Sequence, residues 1–248
     1  MSALVRSELL KVRTTRGWWA YLIVIVLLVG AAVAGDTGTA DDVARSLLGF
    51  QLGLVEAAGF AALLALILGI TLVTAEFRHG TIAPTLLAAP KRERVLAAKT
   101  LAASTVGLFF GVLALLVVAA VALPWLALVG AEIQLGSEIA SRAAATILGV
   151  VLFALIGVAI GSAVHSQVAA LVGTLLWVFL GETLLEGLLG LLDLDGASSY
   201  LPFRALDGAD GTRGNELLGY WPAVGVSLAW IAAVGAAGVA RTRRRDIT

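Results

Sequence analysis

Long apolar runs set the terms on which this chain can fold. Residues 18–35, 52–75, 100–123, 143–164 and 221–240 are apolar stretches of about the length a helix needs to cross a hydrocarbon layer roughly 30 Å thick. A sixth run, 167–192, is also apolar but carries Glu182, Glu186 and several glycines. It predicts a span over 167–181, followed over 182–219 by a short re-entrant segment and a polar loop on the outer side. Such backbone is tolerated at membrane depth only where protein buries it. Hydrophobic residues make up 60% of the chain and charged residues 14%. A soluble fold has no place for that excess, because its surface must stay wetted. The sequence therefore predicts an all-α, polytopic membrane protein with six transmembrane helices and one domain over 1–248. Met1 to Arg16 is polar and basic and has no small-residue cleavage site, so the first run is expected to stay as an anchor.

Orientation follows from the basic residues. With the N-terminus inside and the spans alternating, Arg6, Lys11, Arg13 and Arg16 fall inside with Arg78, Lys91, Arg92, Arg94, Lys99, Arg241, Arg243, Arg244 and Arg245. Only Arg45, Arg142, Arg204 and Arg213 of the 17 basic residues fall outside. Positive charge held on one side predicts cytoplasmic termini and a multi-pass protein of the cell membrane. Trp18, Trp19 and Tyr21 at one boundary, with Trp125, Tyr220 and Trp221 at the other, fit aromatic belts.

Catalytic signatures are sparse. There is no cysteine, so neither a disulfide framework nor a thiolate metal site is available. No G-x-x-x-x-G-K-[ST] occurs, so the chain has no P-loop for ATP. His79 and His165 lack metal-ligand spacing. Gly161-Ser162-Ala163-Val164-His165-Ser166 has the composition of a membrane hydrolase site, but polar residues are ordinary at a helix end and such a nucleophile needs an oriented base and an oxyanion hole. Glu56, Glu182 and Glu186 are the costly residues in apolar runs. They are candidates for lining a pathway, against the plainer reading of a hydrated outer rim. Gly107 with Gly111, and Gly157 with Gly161, allow close helix approach within the chain or between two chains.

The informative segment follows the second run: Glu76-Phe77-Arg78-His79-Gly80-Thr81-Ile82-Ala83-Pro84-Thr85-Leu86-Leu87-Ala88-Ala89-Pro90-Lys91-Arg92-Glu93-Arg94. Thr81 suits an N-cap, Pro84 falls in the first turn, and Pro90 ends a two-turn helix with Leu86 and Leu87 on its apolar side. Such a helix either lies on lipid headgroups or docks into a groove on a cytoplasmic partner. Its order of residues, Glu76-x-Arg78-x-Gly80-Thr81, then Leu86-Leu87, Pro90, Arg92 or Arg94 and Lys99, resembles the first cytoplasmic loop of ABC-2 type ABC transporter permeases. The opening Glu8-Leu9-x-Lys11, Arg16-Gly17-Trp18 and the ending Arg241-x-Arg243-Arg244-Arg245-Asp246-Ile247 are similar to the same family.

That resemblance implies a transport subunit, not an enzyme, probing no nucleic acid. Two permease chains would form the pathway, as a homodimer or heterodimer in membrane lipid, while ATP and Mg²⁺ are handled by a separate cytoplasmic ABC ATPase. It implies that loop 76–99 holds a coupling helix, with Glu76, Arg78, Gly80, Thr81, Leu86, Leu87, Pro90, Arg92 and Arg94 as the ATPase-coupling residues, and that residues 2–16 form an interfacial helix. Export of a hydrophobic or amphipathic substrate (a drug, lipid or antimicrobial peptide) suits the apolar interior. An ion-gradient carrier using the glutamates as proton sites is the alternative, and a hydrolase around Ser162 and His165 a third.

Overall fold

The structure is a computed structural model, and it describes residues 1–15, 17–81, 92–164, 166–210 and 218–243, with the backbone alone described at 92, 93, 210, 242 and 243. Leu86, Leu87 and Pro90, like His165, Arg213, Arg244 and Arg245, lie outside the described residues. The described chain is helical and contains no strand. Six helices are long and apolar enough to cross a membrane: Gly17–Thr39, Leu48–Arg78, Arg94–Leu128, Ser137–Ala163, Gln167–Leu191 and Tyr220–Arg241.

Helix α1 (Ser2–Thr14) precedes α2 (Gly17–Thr39). Helix α2 is apolar all round, yet only Ile25, Val29, Val33 and Thr37 are buried, one residue per turn along a single stripe. Ile23, Leu27 and Trp19 point outward and are more than half exposed. In a membrane protein that outward surface is solvated by lipid. The short α3 (Asp42–Arg45) leads into α4 (Leu48–Glu56), a 3₁₀ turn (Ala57–Gly59) and α5 (Phe60–Arg78), which together make one long span with a tightened turn just after Glu56.

Helix α5 and helix α7 (Ser137–Ala163) are the centre of the molecule, and α6 (Arg92–Leu128) packs beside both. Glycine makes the central contact possible. A Cβ on Gly157 would stand 2.4 Å from the Leu66 carbonyl oxygen, and one on Gly69 would stand 2.2 Å from that of Ala154. Gly107 faces Val151 and Gly111 faces Ile147. All four glycines singled out in the sequence thus face neighbouring helices of the same chain, Gly161 by lying against Ile70. With 37 residues, α6 is about 55 Å long at 1.5 Å per residue, so it outruns the hydrocarbon layer.

The fifth long helix does not stop at Gly181. It runs as α8 (Gln167–Leu176), a π turn (Trp177–Gly181) and α9 (Glu182–Leu191). The π turn absorbs the irregularity that the glycines and Glu182 introduce, so the helix continues where an end was expected. Two short helices, α10 (Asp195–Ser198) and α11 (Pro202–Asp210), precede α12 (Tyr220–Arg243). Helix α11 buries Phe203, Ala205, Leu206 and Ala209. It packs on α7 and α12, with the Phe203 ring 5.9 Å from that of Phe153 in the second half of α7.

Contacts fix which ends lie together. Lys11 of α1 meets Glu76 of α5, Arg78 meets Gln167 at 3.3 Å, and Arg241 donates to the Ala163 carbonyl at 3.1 Å. The N-terminal helix, the two ends of the 79–91 stretch and the end of α12 therefore share one end of the bundle.

Candidate functional site: a buried charge cluster and an acidic helix cap

Two features of this bundle carry unusual chemistry, one at each end. At the terminal end, four charges meet where α1, α5 and α6 converge. Lys99 Nζ lies 2.8 Å from Glu8 Oε2 and 3.0 Å from Glu76 Oε1, and Lys11 Nζ lies 2.6 Å from Glu8 Oε1 and 2.7 Å from Glu76 Oε1. Lys99 also donates to the Leu72 carbonyl at 3.0 Å. The side chains of Lys99, Glu8 and Glu76 are only 3%, 5% and 7% exposed, whereas Lys11 is 47% exposed. Burial alone would lower the Lys11 pKa, but its hydrogen bonds to Glu76 and Glu8 and their negative charge outweigh that and hold it above the usual lysine value. Charges this deep are tolerable because each is paired and hydrogen-bonded.

The placement of the cluster matters more than its strength. Glu76 stands at the last turn of α5 and Lys99 in the second turn of α6, so the two flank the 79–91 stretch in sequence. Glu8 and Lys11 join both to α1. Gly80 ends α5: at φ +68° it takes a left-handed conformation that glycine adopts freely. The Thr81 N–H then reaches the Glu76 carbonyl at 3.0 Å and the Gly80 N–H that of Phe77 at 3.5 Å, the paired closure typical of a helix C-terminus. Thus Gly80 and Thr81 close the helix that carries Glu76, and Thr81 is exposed and non-helical. Arg78 and Arg94 are exposed; the Arg92 side chain lies outside the described residues.

At the far end, the three acidic residues of the apolar runs have separate partners. Glu56 pairs with Arg142 at 2.6 Å, tying the start of α7 to the tightened turn before α5. Glu182 is buried and accepts three hydrogen bonds: from the Phe203 N–H at 2.9 Å, the Arg204 N–H at 3.0 Å and the Trp177 indole N–H at 3.1 Å. The first two are free donors of the first turn of α11, so Glu182 caps that helix from another element. The π turn sets the geometry, since its wider winding brings residues five apart, Trp177 and Glu182, onto one face. Glu186, one turn on, forms an ion pair with Arg204. These residues do not converge on one point: Glu182 and Glu186 share a helix face and the α11 N-terminus, while Glu56 is held elsewhere by Arg142.

The basic residues expected outside share this logic. Arg45 pairs with Asp42 at 2.5 Å and donates to the Thr37 carbonyl, Arg142 holds Glu56, and Arg204 holds Glu186. Each of these three is matched by an acid. The convergence of Glu8, Lys11 and Lys99 on Glu76 was not anticipated from the sequence. The i,i+3 spacing of Glu8 and Lys11 was the only local signal. Nothing local marked Glu182 as a cap.

Ser162 is buried and donates to the Ala159 carbonyl of its own helix at 2.7 Å, with Gly238 packed against it. No group of three His, Cys, Asp or Glu residues is gathered to hold a metal among the described residues.

Against known families, residues 2–247 match a model described as ABC-2 family transporter protein. A comparison with curated proteins gave no significant match.

Proposed function

Because this chain belongs to the ABC-2 family of transporter proteins, we propose that it is the permease half of an ATP-driven exporter, paired with a second permease chain in the cell membrane and driven by separate ABC ATPase subunits. The chain itself is an all-helical, multi-pass permease. It has no phosphate-binding loop, so in this reading ATP and Mg²⁺ are bound by the partner and work reaches the spans mechanically. The observation that supports this best is the Glu8–Lys11–Glu76–Lys99 cluster. It joins the N-terminal helix to both flanks of the 79–91 stretch. A displacement of that stretch by a docked ATPase would move α1, α5 and α6 together instead of bending one loop.

In this proposal both termini and residues 76–99 face the cytoplasm, α1 lies at the membrane interface, and Leu86 and Leu87 anchor a coupling helix in the ATPase groove. Arg78, Arg92 and Arg94 steer the encounter. At the other face, α10 and α11 form a re-entrant element pinned by Glu182, beside the pathway. The substrate is apolar or amphipathic, in keeping with apolar walls.

The test is retention of the ATPase by purified permease. Changing Leu86 and Leu87 together to Asp places two charges in a desolvated groove, which should weaken association at least a hundredfold, about 3 kcal/mol. Insertion should be unaffected. Unchanged ATPase retention and unchanged substrate-stimulated hydrolysis would contradict the coupling assignment.

A further inference from the structure

The charge cluster is also one wall of a cleft. A cavity of about 810 Å³ lies between α1, the root of α2, α5 and the start of α6, within the range of cavities that enclose a ligand. Its apolar lining includes Val12, Trp18, Leu68 and Leu72. Ser7, Glu8, Lys11, Glu76 and His79 add a polar patch to the same cleft. An apolar cleft with a charged patch suits an amphiphile.

The polar patch specifies the head. Two carboxylates and two ammonium groups leave the cluster with no net charge, so a head of either single sign would be unbalanced there. One atom is left over: Glu76 Oε2 is buried and accepts no hydrogen bond among the described residues, although Glu76 Oε1 receives both lysines. A buried carboxylate oxygen without a donor is costly, and a ligand N–H relieves it once the Glu76 carboxylate turns toward the cleft. Lys11, half-exposed beside it, can still face an anionic oxygen. A donor cation and an acceptor anion, held a few ångströms apart on an apolar tail, describe one ligand class.

We propose that this cleft binds a zwitterionic aminophospholipid of the surrounding membrane, its primary ammonium donating to Glu76 Oε2, its phosphate against Lys11 and an acyl chain along Leu68, Leu72 and Trp18. The site differs from the far-end acids and needs only that the chain sits in lipid, not that it exports anything. It would make the cluster that joins α1, α5 and α6 complete only with lipid bound.

The experiment is native mass spectrometry of the full-length protein in detergent, titrated with phosphatidylethanolamine, phosphatidylcholine and phosphatidylglycerol of identical acyl chains. The quaternary choline head has no N–H to donate. Phosphatidylethanolamine should be retained roughly tenfold over phosphatidylcholine, the ratio one charge-assisted hydrogen bond supports. Glu76→Gln should erase that preference. Because it also disturbs the cluster, Ala75→Phe, which fills the cleft beside Glu76 and leaves every charge in place, should erase it too. Equal retention of the two lipids by the wild-type protein, stronger retention of phosphatidylglycerol, or a preference that survives in Ala75→Phe would each overturn the assignment.

Discussion

Single residues in this bundle are legible through what their charges touch. Lys99 is nearly inaccessible and holds two carboxylates; without it, Glu8 and Glu76 would share one half-exposed lysine. Lys99→Met should therefore lower stability by about 3–5 kcal/mol, the cost of stranding a buried charge. The measurement is the denaturation midpoint in detergent, and an unchanged midpoint would show that the cluster is not structurally coupled. Glu182→Gln keeps one acceptor but turns an amide N–H₂ toward donors, so the α11 cap should weaken by about 1–2 kcal/mol. Limited proteolysis between 192 and 219 should quicken accordingly, and wild-type protection would mean that the cap is dispensable. Neither pairing could be read from the sequence. Glu8 and Lys99 are 91 positions apart and Glu182 and Phe203 are 21 apart, and no local period reports such separations.

At the scale of elements, hydropathy carried most of the information. A span must be long and apolar whatever it packs against, so six runs in the sequence correspond to six long helices. Ends were harder to place. The fifth helix passes Gly181 because a π turn accommodates it, and α6 begins well before its apolar stretch because Lys99 and Val95 are buried against other helices. Burial by protein extends a helix beyond what lipid requires. The small-residue pairs did signal close approach, and the structure identifies which helices approach. Gly157→Val should be severe, since its side chain would collide with the Leu66 carbonyl; overpacking of this kind costs about 3 kcal/mol or more. Gly225→Ala, in α12 with open space around it, is the matched control and should fold normally. Size-exclusion profiles of the two variants separate these outcomes, and comparable profiles would argue that the α5–α7 contact can yield.

At the scale of the whole molecule, the central α5–α7 pair is wrapped by helices that show much of their apolar surface outward: α2 and the Gln167–Leu191 helix are each only 17% buried over their most apolar stretch. Lipid and a second permease chain are the proposed covers for that surface. In the proposed function, force enters at the 79–91 stretch from a cytoplasmic ATPase. The chain contains no cysteine, so a single Leu87→Cys can carry a thiol-linked photo-crosslinker in native membranes without competing sites. Illumination should join position 87 to a P-loop ATPase polypeptide, and an impermeant thiol reagent added outside intact cells should label a cysteine at position 40 but not one at 87. Labelling of position 87 from outside, or crosslinks from it to lipid alone, would contradict ATPase docking at this stretch.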